Sequence, residues 1–217
     1  MENKRVTGFA YLRCALYALA GLVFELLVAA LEKMVGVDLS SLSVSQNITH
    51  WLITSIGWVL AGLLVIRTGR KTTGFDVWAR RARLRGWQYA AIAVCFAVNI
   101  LVKYLDWGGF KVVLEWKSRG PVLFAFQYLY YLAEGFLISL MIVFAQKACE
   151  TWFRSDRVPY GGVILGLTWG LAHTFTQGSV WIGLLCALGG FLFGAVYLLA
   201  SQDYKKALPI ITLLFIL

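Results

Sequence analysis

The sequence predicts an all-α fold: a polytopic transmembrane helical bundle of six to seven membrane segments, with the amino terminus cytoplasmic. Of the 217 residues 60% are hydrophobic and only 14% charged, and the mean hydropathy of +0.73 lies well outside the range of an ordinary soluble domain. Several apolar runs approach or exceed the roughly 20 residues a helix needs to cross about 30 Å of hydrocarbon. No apolar/polar alternation recurs in blocks of about ten, which disfavours a transmembrane barrel.

The first span is expected from about Phe9 to Leu31. The basic opening at Lys4 and Arg5 leads into an apolar run too long for a cleaved signal, so this segment should stay in the mature chain. Arg13 can snorkel to the cytoplasmic surface, whereas Glu25 needs a partner or a place near the far interface. Val35 to His50 is rich in Ser, Asp and Asn and reads as an external loop. Its Asn47-Ile48-Thr49 matches the glycosylation acceptor pattern, which is too common by chance to build on.

A second span from about Trp51 to Ile66 returns to a loop crowded with Arg67, Arg70, Lys71, Arg80, Arg81, Arg83 and Arg85. That bias marks the cytoplasmic side. Phe75, Val77, Trp78 and Leu84 alternate with the arginines there and suggest a short amphipathic helix lying on anionic lipid. A third span, about Trp87 to Tyr104, leads to a mixed-charge loop from Trp107 to Gly120.

The apolar stretch from Pro121 to Phe153 is too long for one untilted crossing. Pro121 to Tyr128 is therefore expected at the interface or re-entrant, with the fourth span starting near Leu129. The fifth, about Tyr160 to Gln177, carries Gly162, Gly166 and Gly170, and the sixth, about Val180 to Ala200, carries Gly183, Ala187, Gly190 and Gly194. Two such small faces predict close packing of these helices on each other. Ala207 to Leu217 is apolar but short for a crossing, which leaves the count at six or seven. One membrane domain, 1–217, accounts for the whole chain.

The net charge of +9 is spread between apolar segments and forms no patch with a fold of its own, so no nucleic-acid role is expected. The bilayer is the expected surrounding. Cys14, Cys95, Cys149 and Cys186 are isolated and read as reduced thiols.

An ionisable group inside an apolar span is a functional-site hypothesis, and two stand out. Glu134 lies in the fourth span and His173 near the outer end of the fifth. A carboxylate beside an imidazole in a dry pocket suits a general base and its partner. They are the candidate catalytic pair. Trp169, Gln127, Tyr130 and Tyr131 are candidate binding residues around them, with Asn99 a further polar group that a neighbouring helix could bring close. One histidine and one acid fall short of the three protein ligands usual for catalytic zinc, and His50 is expected in an external loop, so neither a metal nor another cofactor is expected.

Leu165 to His173, with Trp169 four residues before the histidine, resembles the second motif of the CAAX protease and bacteriocin-processing (CPBP or Abi) family of intramembrane proteases. Trp169 stands where phenylalanine is usual. Glu134 matches the first glutamate of an upstream motif, while Gly135 and Ser139 replace its second glutamate and its arginine. Gly189 to Leu199 is similar to the family's next span, and Ala207 to Ile211 to its closing segment, so a protease-like core covers about 122–217. The resemblance implies that Glu134 and His173 would activate water for peptide cleavage inside a membrane, with a bacterial plasma membrane as the expected location. The family's third-motif histidine, which would stabilise the oxyanion, is missing: Thr212 to Leu217 occupies its place. Loss of one oxyanion donor costs about 10²–10³ in rate in a well-studied protease. Two readings follow from the resemblance. One is a catalytically weakened homologue that acts as a membrane-embedded binding or regulatory protein, with a membrane-embedded or lipidated peptide or protein as partner. The alternative is an active glutamate-dependent endopeptidase.

Overall fold

The computed structural model describes residues 6–217, and the basic opening at Lys4 and Arg5 lies outside them. The described residues form helices and connecting turns, with no strand among them. Helices α1 (Gly8–Met34), α2 (Val44–Thr73), α3 (Gly86–Trp107), α4 (Lys111–Phe153) and α7 (Val180–Leu199) are each long and apolar enough to cross a membrane. That makes the chain consistent with an integral membrane protein. Between α4 and α7 runs a rod of α5 (Tyr160–Leu165), a π-helical turn (Gly166–Gly170) and α6 (Leu171–Thr176), and α8 (Tyr204–Ile216) ends the fold.

The axis of the bundle is α4. Ala133 to Gln146 is buried almost without a break, and Leu137, Ile138, Leu140, Ile142, Val143 and Phe144 are fully enclosed. A helix apolar all round belongs in the middle. By contrast α1, α2 and α3 present Leu16, Val23, Leu27, Ile56, Leu60, Leu64, Val94 and Leu101 outward, as helices facing lipid tails do.

Local sequence explains where the elements stop. The Ser43 hydroxyl accepts from the Gln46 amide while the Gln46 side chain accepts from the Ser43 amide, a capping box that starts α2 at Val44. Asn47 therefore sits in the first helical turn, its side chain donating to the Leu42 and Ser43 carbonyls. The loop between α1 and α2 is correspondingly shorter than expected. Within it, hydrogen bonds from Ser41 and Ser40 hold the Asp38 carboxyl down at about 2.

Two expectations for irregular segments are corrected. The segment from Trp107 to Gly120 is helical from Lys111 onward, and the irregularity is a kink where Gly120 adopts φ 72° and ψ 171° just before Pro121. Only glycine takes that backbone readily, and proline at the next position starts the second half of α4. The arginine-rich segment 74–85 is not a surface helix. Gly74 ends α2 in the left-handed region, Val77 is buried, Phe75 packs edge-on against Phe144 and Trp78 against Tyr204. Val77 thus belongs to the core, with Phe75 and Trp78 partly buried against it. Asp203 accepts from the Ala82 amide, Lys206 donates to the Ala82 carbonyl, and the Gln88 side chain donates to the Leu199 carbonyl, so the loop is tied to the α7–α8 turn.

The predicted small-residue contact is present. A methyl group at Gly162 would lie 2.7 Å from the Gly190 carbonyl oxygen, and one at Gly166 would lie 2.7 Å from the Ala187 carbonyl oxygen. The two backbones approach as closely as side-chain-free positions allow. The apolar tail is a helix whose Ala207, Ile211 and Leu214 are fully buried against the bundle.

Candidate functional site

Glu134 is 8% exposed on the part of α4 that faces the α5–α6 rod and α8. Its Oε1 accepts from the Trp169 indole Nε1–H at 3.2 Å. His173 is half-buried, and its Nδ1 donates to the Trp169 carbonyl at 2.8 Å. The imidazole meets the indole edge-on, with ring centroids 4.5 Å apart. Both members of the predicted pair thus converge on one residue, and no direct hydrogen bond or ion pair joins them among the described residues.

Trp169 lies in the π-helical turn. Such turns widen the backbone and leave carbonyls without their usual partners. Two side chains serve carbonyls here: the Thr168 hydroxyl donates to the Ile164 carbonyl at 2.7 Å, and His173 to the Trp169 carbonyl. That bond places a proton on His173 Nδ1.

The positions at which the chain departs from the resembled motif touch α8. A methyl group on Gly135 would lie 2.9 Å from the Thr212 hydroxyl, and the Ser139 hydroxyl lies 2.9 Å from the Tyr204 hydroxyl while donating to the Phe136 carbonyl. Small groups on α4 let α8 lie directly on it. A glutamate at 135 has no room in that contact.

The remaining candidate residues serve two other carboxylates. Glu115, 3% exposed, accepts from Gln127 Nε2 at 3.1 Å, Tyr128 at 2.9 Å and Tyr131 at 2.7 Å, with Lys111 Nζ at 4.0 Å. Only the Gln127 oxygen, an acceptor, lacks a partner in that group. Tyr130 donates to Glu25 at 2.6 Å. His50, expected in a loop, is buried in α2, its Nδ1 2.8 Å from Glu32 and its Nε2 3.6 Å from Glu25. Glu25 has the partners its depth demands.

Asn99 donates to the Leu214 carbonyl at 2.8 Å and Lys103 to the Phe215 carbonyl at 2.7 Å, so α3 is held to the end of α8 by polar side chains one turn apart. Sequence reasoning missed Glu115, Lys111 and Lys103. Lys111 and Glu115 lie inside a segment read as loop, and Lys103 reads only as the charged end of the third span. The four cysteines carry free thiols, and among the described residues no group of three His, Cys, Asp or Glu is placed to hold a metal ion.

Neither protein-family models, nor curated proteins, nor solved structures yield a match to this chain.

Proposed function

We propose that this chain is a membrane-embedded binding or regulatory protein, a divergent relative of the CPBP intramembrane proteases whose acid and imidazole no longer activate water. The observation that carries the reading is the position of Trp169: its indole occupies the Glu134 carboxylate and packs against the His173 ring. A general base must reach a water that also faces the substrate, and here the indole N–H holds Oε1 of a carboxyl that is 8% exposed and makes no hydrogen bond to His173. Gln127, Tyr130, Tyr131 and Asn99, the groups that could replace the missing oxyanion donor, are each committed to another acceptor.

In this reading α1, α2, α3, α4, the α5–α6 rod and α7 make six crossings with a cytoplasmic amino terminus, and α8 is the seventh segment. The charge bias supports that orientation: Arg13, Arg67, Arg70, Lys71, Arg80, Arg81, Lys147, Arg154, Lys205 and Lys206 gather at one end of the bundle. The resemblance supports a bacterial plasma membrane as location and a membrane-embedded or lipidated peptide or protein as partner. Half-buried His173, exposed Phe175 and exposed Trp181 offer such a partner an aromatic edge at the opposite end.

The test uses the purified full chain in lipid nanodiscs with a fluorescent farnesylated peptide and a fluorescent transmembrane peptide. Saturable binding of one of them without cleavage products is expected. Turnover that disappears in both Glu134→Gln and His173→Ala overturns the reading in favour of an endopeptidase, and absence of saturable binding to either peptide overturns it as well.

A further inference from the structure

The inward face of α2 is fixed by Trp58, Gly62, Val65, Gly69 and Thr73, all buried. The Phe136 ring covers Gly62 and the Phe144 ring covers Gly69. On another face of the same helix, Leu63, Ile66, Arg67, Arg70 and Lys71 line an open recess of ≈ 420 Å³. Their spacing of three, four, seven and eight residues from Leu63 keeps them in one stripe.

The stripe changes character along its length. Its membrane-ward end is apolar, and the last two turns of α2 present three cations. Arg67, Arg70 and Lys71 are exposed, and none makes an ion pair among the described residues. Alongside, between α1 and α2, a second groove of ≈ 270 Å³ is lined by Tyr17, Gly21, Ala61, Leu64, Val65 and Thr68.

Three cations above an apolar floor at the end of a membrane span match an anionic head joined to hydrocarbon. A soluble anion leaves the floor uncovered. A zwitterionic lipid brings its own cation into a cluster that is already positive. We propose that this recess binds the headgroup of an anionic phospholipid, with Arg67, Arg70 and Lys71 on the phosphate and Leu63 and Ile66 against the first acyl carbons.

The experiment is native mass spectrometry of the delipidated full chain titrated with phosphatidylglycerol, phosphatidylcholine or inorganic phosphate. One tightly retained phosphatidylglycerol is expected. A basic residue that engages an anionic headgroup contributes about fivefold in affinity, so Arg67→Gln/Arg70→Gln/Lys71→Gln should weaken retention by about 100-fold. Arg81→Gln/Arg83→Gln, which alters exposed charge on the same side of the membrane, should change it less than ~2-fold. An equal loss in both variants overturns the site in favour of diffuse attraction. Unchanged retention in the triple variant, equal retention of phosphatidylcholine, or competition by inorganic phosphate at concentrations equal to the lipid would each overturn it too.

Discussion

Trp169 and Glu134 are joined by a single hydrogen bond, indole Nε1–H to carboxylate at 3.2 Å, and it links the central helix to the π-helical turn. Trp169→Phe keeps a ring against His173 but leaves the buried carboxyl without its donor. A buried group that loses its partner costs about 1–3 kcal/mol. The unfolding midpoint in detergent should fall accordingly, while Trp181→Phe, at an exposed position, should leave it nearly unchanged.

Gly135→Glu restores a residue of the resembled motif and should fail structurally. Thr212 already lies where the first carbon of that side chain would go, so α8 must leave α4 or the chain must misfold. Protease protection of the α8 segment is the measurement. Protection equal to the parent chain contradicts the packing described above.

Glu115→Ala should be among the most destabilising single changes. It removes the common acceptor of Gln127, Tyr128 and Tyr131 and leaves the Lys111 ammonium buried without its counter-charge. Breaking a buried pair from one side costs about 3–5 kcal/mol. Glu115→Gln, which keeps an acceptor oxygen, should lose less, and the difference is readable in thermal unfolding of the two variants side by side.

Gly166→Ala puts a methyl group 2.7 Å from the Ala187 carbonyl oxygen, where only backbone can yield. Overpacking of this kind costs about 1–3 kcal/mol. Gly36→Ala, at a position with open space but φ +86°, tests strain without a clash and should cost less.

In the loop between α1 and α2, Asp38 has a folded-state pKa depressed to about 2 by hydrogen bonds from Ser41 and Ser40. A depressed carboxyl stabilises the folded loop above its ordinary pKa, and that contribution is lost as pH falls through the folded value. Carboxyl titration followed by NMR should give a midpoint near 2, rising toward the ordinary carboxylate range in Ser41→Ala.

What the sequence reveals here follows from how far each signal reaches. Glycines four residues apart state their own purpose, so the contact of the α5–α6 rod with α7 is legible without coordinates. The link from Glu134 to the His173 region is legible as a neighbourhood, because two rare polar groups in apolar spans need partners. Trp169 is legible as a candidate beside them, but the hydrogen bond from its indole to Glu134 is not, since no spacing in the sequence sets the direction of that N–H. Glu115 and Lys111 are hidden for a different reason. Their burial depends on the kink at Gly120, which folds a charged half-helix back beside Tyr128 and Tyr131, and mixed charge alone reads as loop. His50 reads as polar surface until the Ser43 capping box moves the start of α2 upstream and places the ring beside Glu25 and Glu32.

The widened turn at Gly166–Gly170 acts as a phase adjuster in an otherwise regular rod. On the Tyr160 side Gly162 packs on Gly190 and Gly194, within the turn Gly166 and Gly170 pack on Ala187, and on the far side the imidazole is set by the residue count the turn contains. Deleting Leu167 or Thr168 would leave the Gly162 and Gly166 contacts in place while swinging Trp169, Gly170 and everything beyond them by about 100°. The indole and the imidazole would turn away from Glu134 together, and Gly170 would leave Ala187, so the register of this site and the packing that supports it are set by the same turn.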